Sequence, residues 1–115
     1  MERIANKNAA QYVYNLEPFQ GNNLYAIDYN PETYVVFSYG EHWPLYIIRR
    51  SNPNVILENN DKYSSTTSKH KTQARPSGGP YDRRSMTIMR LGAGKNIQYI
   101  PFNTRELRGL LTGCA

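Results

Sequence analysis

In the first half of the chain, short hydrophobic stretches are separated by polar turns, and residues 24–29 alternate with a period of two, the spacing that places side chains on opposite faces of a β-strand. Tyrosine, valine and isoleucine dominate these stretches, and they suit a pleated, half-buried surface. Short turn sequences such as Asn30-Pro31-Glu32 and Gly40-Glu41-His42 separate them. The pattern predicts strands over residues 12–14, 24–29, 33–39, 43–49 and 55–58. Pro44 should lie at a ladder end or a bulge, because proline cannot donate a ladder hydrogen bond.

The pattern of predicted strands stops at residue 59, and an alternating stretch follows at residues 85–91. Asp61 or Ser64 is a suitable cap for a short helix that ends at Lys71 or Gln73, although serine and threonine compete for backbone hydrogen bonds and lower helix propensity. Residues 76–80 are rich in proline and glycine and predict a loop. Two further strands, over residues 85–91 and 97–102, are joined by a turn at 92–96 and should form a second hairpin.

The chain ends in a predicted helix. Asn103 can cap it, and Glu106 stands three residues later, as in a capping box. Leu107, Leu110 and Leu111 have the i, i+3, i+4 spacing of an apolar stripe, and Gly113 should end the helix.

These elements predict one domain over residues 1–115, because neither a repeat nor a linker interrupts them. The expected fold is mainly β, a β-rich α+β arrangement. It consists of a small antiparallel sheet or partly open barrel, with a short C-terminal helix that packs on the sheet or on a second subunit. We leave a homo-oligomer open, since a chain of 115 residues buries only a modest core.

The composition of the chain indicates its cellular compartment and the charge of its partners. A lone cysteine, Cys114, cannot form an intramolecular disulfide, which is typical of a reducing compartment. No apolar run approaches the roughly 20 residues of a membrane span, and residues 1–16 contain no signal-peptide core. We therefore expect a protein of the cytosol. The net charge of +5 and the pI of about 9.4 favour anionic partners.

The positive charge is concentrated in residues 59–90, which hold seven lysines and arginines against Asp61 and Asp82. Cations together with hydroxyl groups are the side chains that bind phosphate. This segment therefore predicts a phosphate-binding surface in which Trp43, Tyr63 or Tyr81 can stack on a base. The other predicted contacts are Lys62, Thr66, Thr67, Ser68, Lys69, His70, Lys71 and Arg75.

Two alternatives remain open for this segment, a solvated loop and a patch for an acidic protein. His70 has cationic neighbours that favour its neutral form, useful for donating one hydrogen bond, but the favoured interpretation is a solvated loop histidine. Glu58 and Asp61 flank the segment and can order it by pairing with Lys62 or Arg75.

Catalytic and metal motifs are weak. The sequence Gly92-Ala93-Gly94-Lys95 is too short for a phosphate loop and precedes a predicted strand, so it indicates a hairpin turn. His42, His70 and Cys114 match no zinc spacing. We expect no metal, no cofactor and no enzymatic activity, with a nucleotide-acting hydrolase or transferase as the least favoured class.

Residues 34–40, 42–45 and 58–70 carry a resemblance to known proteins, most specifically in Asp61-Lys62-Tyr63-Ser64 and Thr66-Thr67-Ser68-Lys69-His70. Over about residues 23–76 the chain resembles a family of small, uncharacterised bacteriophage accessory proteins. The resemblance implies synthesis in the cytoplasm of a bacterial host, and such proteins often disable host defences. The leading expectation is a non-enzymatic protein that binds a nucleotide signal or nucleic acid to counter antiviral defence. The alternative is a protein–protein inhibitor of a defence nuclease complex, of the anti-CRISPR type.

Overall fold

A computed structural model of the protein describes residues 2–62, 65–75 and 98–112. These residues form seven strands and three α-helices, with a 3-10 turn at Asn6–Asn8. The strands are β1 (Glu2–Arg3), β2 (Phe19–Gln20), β3 (Leu24–Asn30), β4 (Thr33–Ser38), β5 (Pro44–Arg49), β6 (Val55–Asn59) and β7 (Gln98–Phe102). The helices are α1 (Ala9–Tyr14), α2 (Ser65–Ala74) and α3 (Thr104–Thr112).

The strands form one sheet in sequence order from β1 to β7, and within the described residues the sheet does not close into a barrel. From β2 to β6, each strand pairs antiparallel with the next, which confirms the predicted meander and the β-rich α+β class. Both outer pairs, β1 with β2 and β6 with β7, are parallel. Parallel neighbours need a crossover connection, and α1 and α2 lie in these two connections.

Helices cover both faces of the central strands, so every residue of β4 is buried. Tyr34 and Val36 face one side, where they share a core with residues of α1 and with Ala74 of α2. Val35 and Phe37 alternate with them and face the other side, where they pack with Leu107 and Leu111 of α3. The sheet is therefore the middle of three layers, and α2 lies on the face opposite α3.

Two local predictions are confirmed in detail. Pro44 is the first residue of β5, and the register between β4 and β5 shifts at the step from Val36 to Phe37, which pairs with Pro44. At the start of α3, the Asn103 backbone N–H donates to Glu106 Oε1 at 3.0 Å, and the Glu106 N–H donates to Asn103 Oδ1 at 2.8 Å. This reciprocal pair is a capping box.

Two predictions are wrong. The segment 12–14 is not a strand but the end of α1, because Ala9 and Val13 lie four residues apart on one helical face and are both buried in the core. Tertiary packing here outweighs the strand propensity of tyrosine and valine. Leu110 was expected in the apolar stripe of α3, but its side chain is 36% exposed while Leu107 and Leu111 are buried.

The predicted helix of the basic segment is confirmed as α2, which ends at Ala74 rather than at Lys71 or Gln73. Strand β7 confirms the prediction for 97–102, with a parallel partner in β6. The predicted loop 76–80, strand 85–91, turn 92–96 and the helix end at Gly113 lie outside the described residues. Among the described helices, none has the length and apolar character needed to cross a membrane.

Candidate functional site

A cleft of about 280 Å³ opens between α2, the start of β5 and the chain that follows β6. Leu45 and Tyr46 belong to β5, and residues 60–62 form the wall that follows β6. The remaining lining residues come from α2 and the residue after it: Thr67, Ser68, Lys71, Thr72 and Arg75.

Helical spacing divides the polar sequence of α2 into two stripes. Ser68, Lys71, Thr72 and Arg75 follow the i, i+3, i+4, i+7 pattern and therefore share the face that lines the cleft. The neighbouring stripe of Thr67, His70 and Ala74 is buried against the rest of the protein. The helix has little apolar character, but the stripe that contains Thr67 and His70 packs against the rest of the protein, and the other polar stripe faces the cleft.

Arg75 is held in place from two sides. Its guanidinium forms an ion pair with Glu58, a residue of β6 whose side chain is only 13% exposed. Its Cζ atom lies 3.8 Å from the centroid of the Tyr99 ring, a cation–π contact. Burial acts to lower the pKa of Arg75, but the negative charge of Glu58 and the nearby tyrosines outweigh it and raise the pKa. Arg75 is therefore a permanently charged and oriented donor.

Lys71 shares the same carboxylate, since its Nζ atom lies 3.8 Å from Glu58 Oε1. The backbone carbonyl of Lys71 accepts a hydrogen bond of 2.7 Å from the Tyr46 hydroxyl. Burial and the adjacent Glu58 raise the pKa of Tyr46, so this phenol stays protonated and keeps donating. The bond fastens the second half of α2 to the sheet and fixes the floor of the cleft.

The opposite wall is fastened to the start of α3. The buried Asn59 donates from Nδ2 to the Pro44 carbonyl at 2.7 Å and to Thr104 Oγ1 at 2.9 Å, and its Oδ1 accepts the Asp61 N–H at 2.8 Å. Asp61 Oδ2 in turn accepts the Thr104 N–H at 2.8 Å. The Asp61 carboxylate is therefore held at the cleft by a backbone hydrogen bond.

His70 faces away from the cleft. Its Nδ1 atom lies 2.8 Å from the Oγ atom of the buried Ser38, and its ring centroid lies 5.6 Å from that of Tyr39. Burial, and after it the charge of Lys69, lowers the pKa of His70, which agrees with the neutral form expected from the sequence. The favoured prediction of a solvated loop histidine is wrong, because the side chain is buried on a helix.

The structure brings five of the eleven predicted contact residues to the cleft: Lys62, Thr67, Ser68, Lys71 and Arg75. Thr66 and Lys69 are exposed on α2 outside the cleft lining, and His70 is buried beside Ser38. Trp43 is half-buried and packs against the core shared with α1. Tyr63 and Tyr81 lie outside the described residues. The predicted pairing of Glu58 with Arg75 is confirmed.

The sequence did not predict three residues that line or support the cleft: Tyr46, Thr72 and Tyr99. The spacing of Thr72 from Ser68 is a helical i+4 pair, so a helical wheel of the segment would have included it. Tyr46 looks like any other core residue of a strand. Tyr99 lies 24 positions after Arg75 in the sequence, and only the parallel pairing of β7 with β6 brings the two together.

The arrangement suits binding of an anion. Three cations and the serine and threonine residues Thr67, Ser68 and Thr72 surround a space with an apolar wall at Leu45. Among the residues that the structure describes, no group of three or more histidine, cysteine, aspartate or glutamate side chains is placed to hold a metal ion. Comparison of the chain with protein-family models, with curated proteins and with solved structures found no match.

Proposed function

We propose that the protein binds a small phosphate-bearing ligand in the α2 cleft without changing it chemically. The observation that carries the proposal is the convergence of Lys62, Lys71 and Arg75 on one cleft of about 280 Å³. Lysine and arginine bind phosphate oxygens through charge-assisted hydrogen bonds, which are stronger than neutral ones.

The held position of Arg75 strengthens the case. A side chain that is already fixed loses less conformational entropy when a ligand arrives, and this raises affinity. Glu58 and Tyr99 provide that fixation on two sides of the guanidinium. The hydroxyl groups of Ser68 and Thr72 add short donors beside the cations, while Leu45 and Tyr46 offer an apolar surface for the organic part of the ligand.

Binding without catalysis is the proposal because the carboxylates near the cleft already have partners. Glu58 pairs with Arg75 and Lys71, and Asp61 accepts the Thr104 N–H. Neither histidine nor cysteine occurs among the lining residues that the structure describes.

The resemblance of residues 23–76 to phage accessory proteins supports a biological setting for this proposal. In the cytoplasm of a bacterial host, a phage protein with such a cleft would capture a nucleotide signal or a nucleic acid and so counter antiviral defence. This setting rests on the sequence resemblance, whereas ligand binding rests on the cleft.

Native mass spectrometry with a panel of cyclic and linear nucleotides is the first test. A discrete mass increase per subunit is expected, with no product formed over time. A product would contradict binding without catalysis. If neither nucleotides nor short oligonucleotides give an adduct, the ligand proposal fails. A protein partner, as in an inhibitor of a defence nuclease complex, then becomes the next candidate for a pull-down from host lysate.

Two lysines on one helix then provide a matched pair for calorimetry. Lys71→Ala removes a charge from the cleft, and Lys69→Ala removes the same charge from the same helix outside it. A hydrogen bond to a charged group contributes about 1.5–3 kcal/mol, so Lys71→Ala should weaken binding roughly 10- to 100-fold. Lys69→Ala should leave the affinity nearly unchanged. Equal losses in both variants would show that only long-range charge matters and would contradict the assignment of the cleft.

A further inference from the structure

We infer that a single-stranded nucleic acid binds across α2, with one nucleotide in the α2 cleft and a base stacked on Tyr39 at the other side of the helix. This inference rests on the proposed function, because the cleft supplies one of the two contact points. The second contact point consists of the exposed ring of Tyr39 and the cation of Lys7, and neither residue lines the cleft.

Tyr39 and the cleft lie on opposite sides of α2. The helix is hydrogen-bonded to β4 and β5, which are neighbours in the sheet. The cleft opens on the β6 side, where residues 60–62 follow that strand. Tyr39 lies on the β3 side, because its backbone N–H donates at 2.9 Å to the carbonyl of Asn23, the residue before β3. A ligand that contacts both must therefore cross the helix.

The ring of Tyr39 is available for stacking. Tyr39 is 46% exposed, more than any other large hydrophobic residue that the structure describes. Its ring centroid lies 5.6 Å from that of His70, so the ring rests against α2. Its φ of 69° lies in the left-handed region, which disfavours a bulky side chain. Burial of the ring does not offset this cost, and such a position favours a functional role.

A cation lies on the same side of α2 as this ring. Lys7 is exposed in the 3-10 turn Asn6–Asn8, which packs against α2. Asn6 joins this turn to the loop before β3, since its Nδ2 donates to the Asn22 carbonyl at 2.9 Å and its Oδ1 accepts the Asn22 N–H at 2.8 Å. The next residue of that loop holds Tyr39. Cations beside an exposed aromatic ring are typical of sites for single strands.

The surface between the two contact points suits a polyanion. The exposed residues of α2 are Ser65, Thr66, Ser68, Lys69 and Thr72. None of them is acidic, and the exposure of residues 60–62 leaves the cleft open, so a strand can continue out of it. A helix with its side chains is about 10–12 Å across, and stacked nucleotides of one strand are about 3.4 Å apart. A strand of about four nucleotides therefore spans the distance.

Calorimetry with 5′-phosphorylated thymidine mono-, di- and tetranucleotides tests the span. The mononucleotide reaches only the cleft, whereas the tetranucleotide also reaches Tyr39. The tetranucleotide should bind roughly 5- to 150-fold more tightly, because a base stacked on an aromatic side chain contributes about 1–3 kcal/mol. A uridine tetranucleotide measured in parallel distinguishes DNA from RNA as the source of the strand.

Tyr39→Asn is the diagnostic variant, since asparagine tolerates the left-handed conformation but has no ring. It should remove most of the gain in affinity from mononucleotide to tetranucleotide, and Tyr39→Phe, which keeps the ring, should restore the gain. Tyr29→Asn is the matched control. Tyr29 is 38% exposed and lies beside Leu111 of α3, on the other face of the sheet, so its loss should keep the gain.

The salt dependence of tetranucleotide binding tests the cation separately. Each phosphate contact on a single strand contributes about 0.7 to the slope of log K against log salt. Lys7→Ala should therefore lower the slope by about 0.7. Arg105→Ala removes the same charge from the exposed surface of α3 and should keep the wild-type slope. An unchanged slope in Lys7→Ala would contradict the inferred path of the strand.

The outcomes separate the inference from the proposed function. If the tetranucleotide binds no more tightly than the mononucleotide, or if Tyr39→Asn keeps the gain, the inference is overturned while the cleft remains a phosphate site. If the tetranucleotide binds but Lys71→Ala does not weaken it, the cleft is not a contact point and both proposals fail. If neither nucleotides nor tetranucleotides bind, the proposed function itself fails. Preference for the thymidine or the uridine strand supports the inference and identifies the sugar.

Discussion

Replacing Glu58 with glutamine tests whether this carboxylate holds the cleft together. The substitution keeps the size of the side chain and its ability to form hydrogen bonds, but it removes the charge shared by Arg75 and Lys71. Arg75 keeps its contact with the Tyr99 ring, so the change isolates the electrostatic contribution of one group.

The expected loss in the free energy of unfolding follows from how deeply Glu58 and its two partners are buried. Glu58 is only 13% exposed, whereas Lys71 and Arg75 are 27% and 41% exposed, so water screens the cations but hardly reaches the carboxylate. Exposed ion pairs contribute about 0.2–1 kcal/mol, and breaking a buried pair costs about 3–5 kcal/mol. Because Lys71 and Arg75 are partly exposed, we expect Glu58→Gln to lower the free energy of unfolding by about 1–2 kcal/mol, a value between these limits. For a domain of this size the loss lowers the Tm by about 4–8 °C.

Urea denaturation followed by circular dichroism measures the loss, with Glu17→Gln as the matched control. Glu17 is exposed, and a surface substitution of this kind usually changes the free energy of unfolding by less than about 0.5 kcal/mol. The difference between the two variants should shrink in about 1 M salt, where the screening length falls to about 3 Å. Equal stability of Glu58→Gln and Glu17→Gln at low salt would refute the reasoning.

Two further predictions concern packing and pH. Leu107→Ala should lower the free energy of unfolding, measured by urea denaturation, by about 2–5 kcal/mol because the side chain is fully buried. Leu110→Ala should lower it by less than about 1 kcal/mol, because that side chain is 36% exposed. Similar losses in both variants would contradict the finding that α3 buries Leu107 and exposes Leu110. Burial and Lys69 hold the pKa of His70 below the ordinary value of 6.5, so in acid the unfolded chain binds the proton more readily. The free energy of unfolding should fall as the pH drops from about 6.5 toward the lowered pKa. The Tm of His70→Gln should therefore fall less than that of the wild type over this range, and parallel curves would count against the buried neutral histidine.

Local signals in the sequence predicted much of the fold. Strands β3 to β6 were predictable because alternation and turn residues act within a few positions, and a strand between two turns has few other ways to bury its apolar face. The start of α3 was predictable for the same reason, since Asn103 and Glu106 satisfy each other's backbone groups within one turn.

The first helix shows where local signals fail. Tyr12 and Val13 favour a strand, but the chain between the parallel strands β1 and β2 has to cross over, and a helix there buries Ala9 and Val13. Likewise, the leucine spacing in α3 predicts an apolar stripe, but it does not determine how much of the helix surface packs against the sheet. The position of the helix on the sheet decides that Leu110 is exposed.

By itself, the sequence determined the β-rich class, the capping of α3 and the basic character of the segment before residue 76, while it left open which flanking carboxylate pairs with Arg75. The tertiary structure alone decided which residues of that segment face the cleft. On α2, His70 points inward and contacts Ser38, whereas Lys69 lies outside the cleft. The Lys71 carbonyl accepts a hydrogen bond from Tyr46, and Arg75 lies against the ring of Tyr99. The reason is physical. Residue type and spacing act locally, but a binding cleft depends on contacts between distant segments, and these exist only once the sheet and its helices have packed.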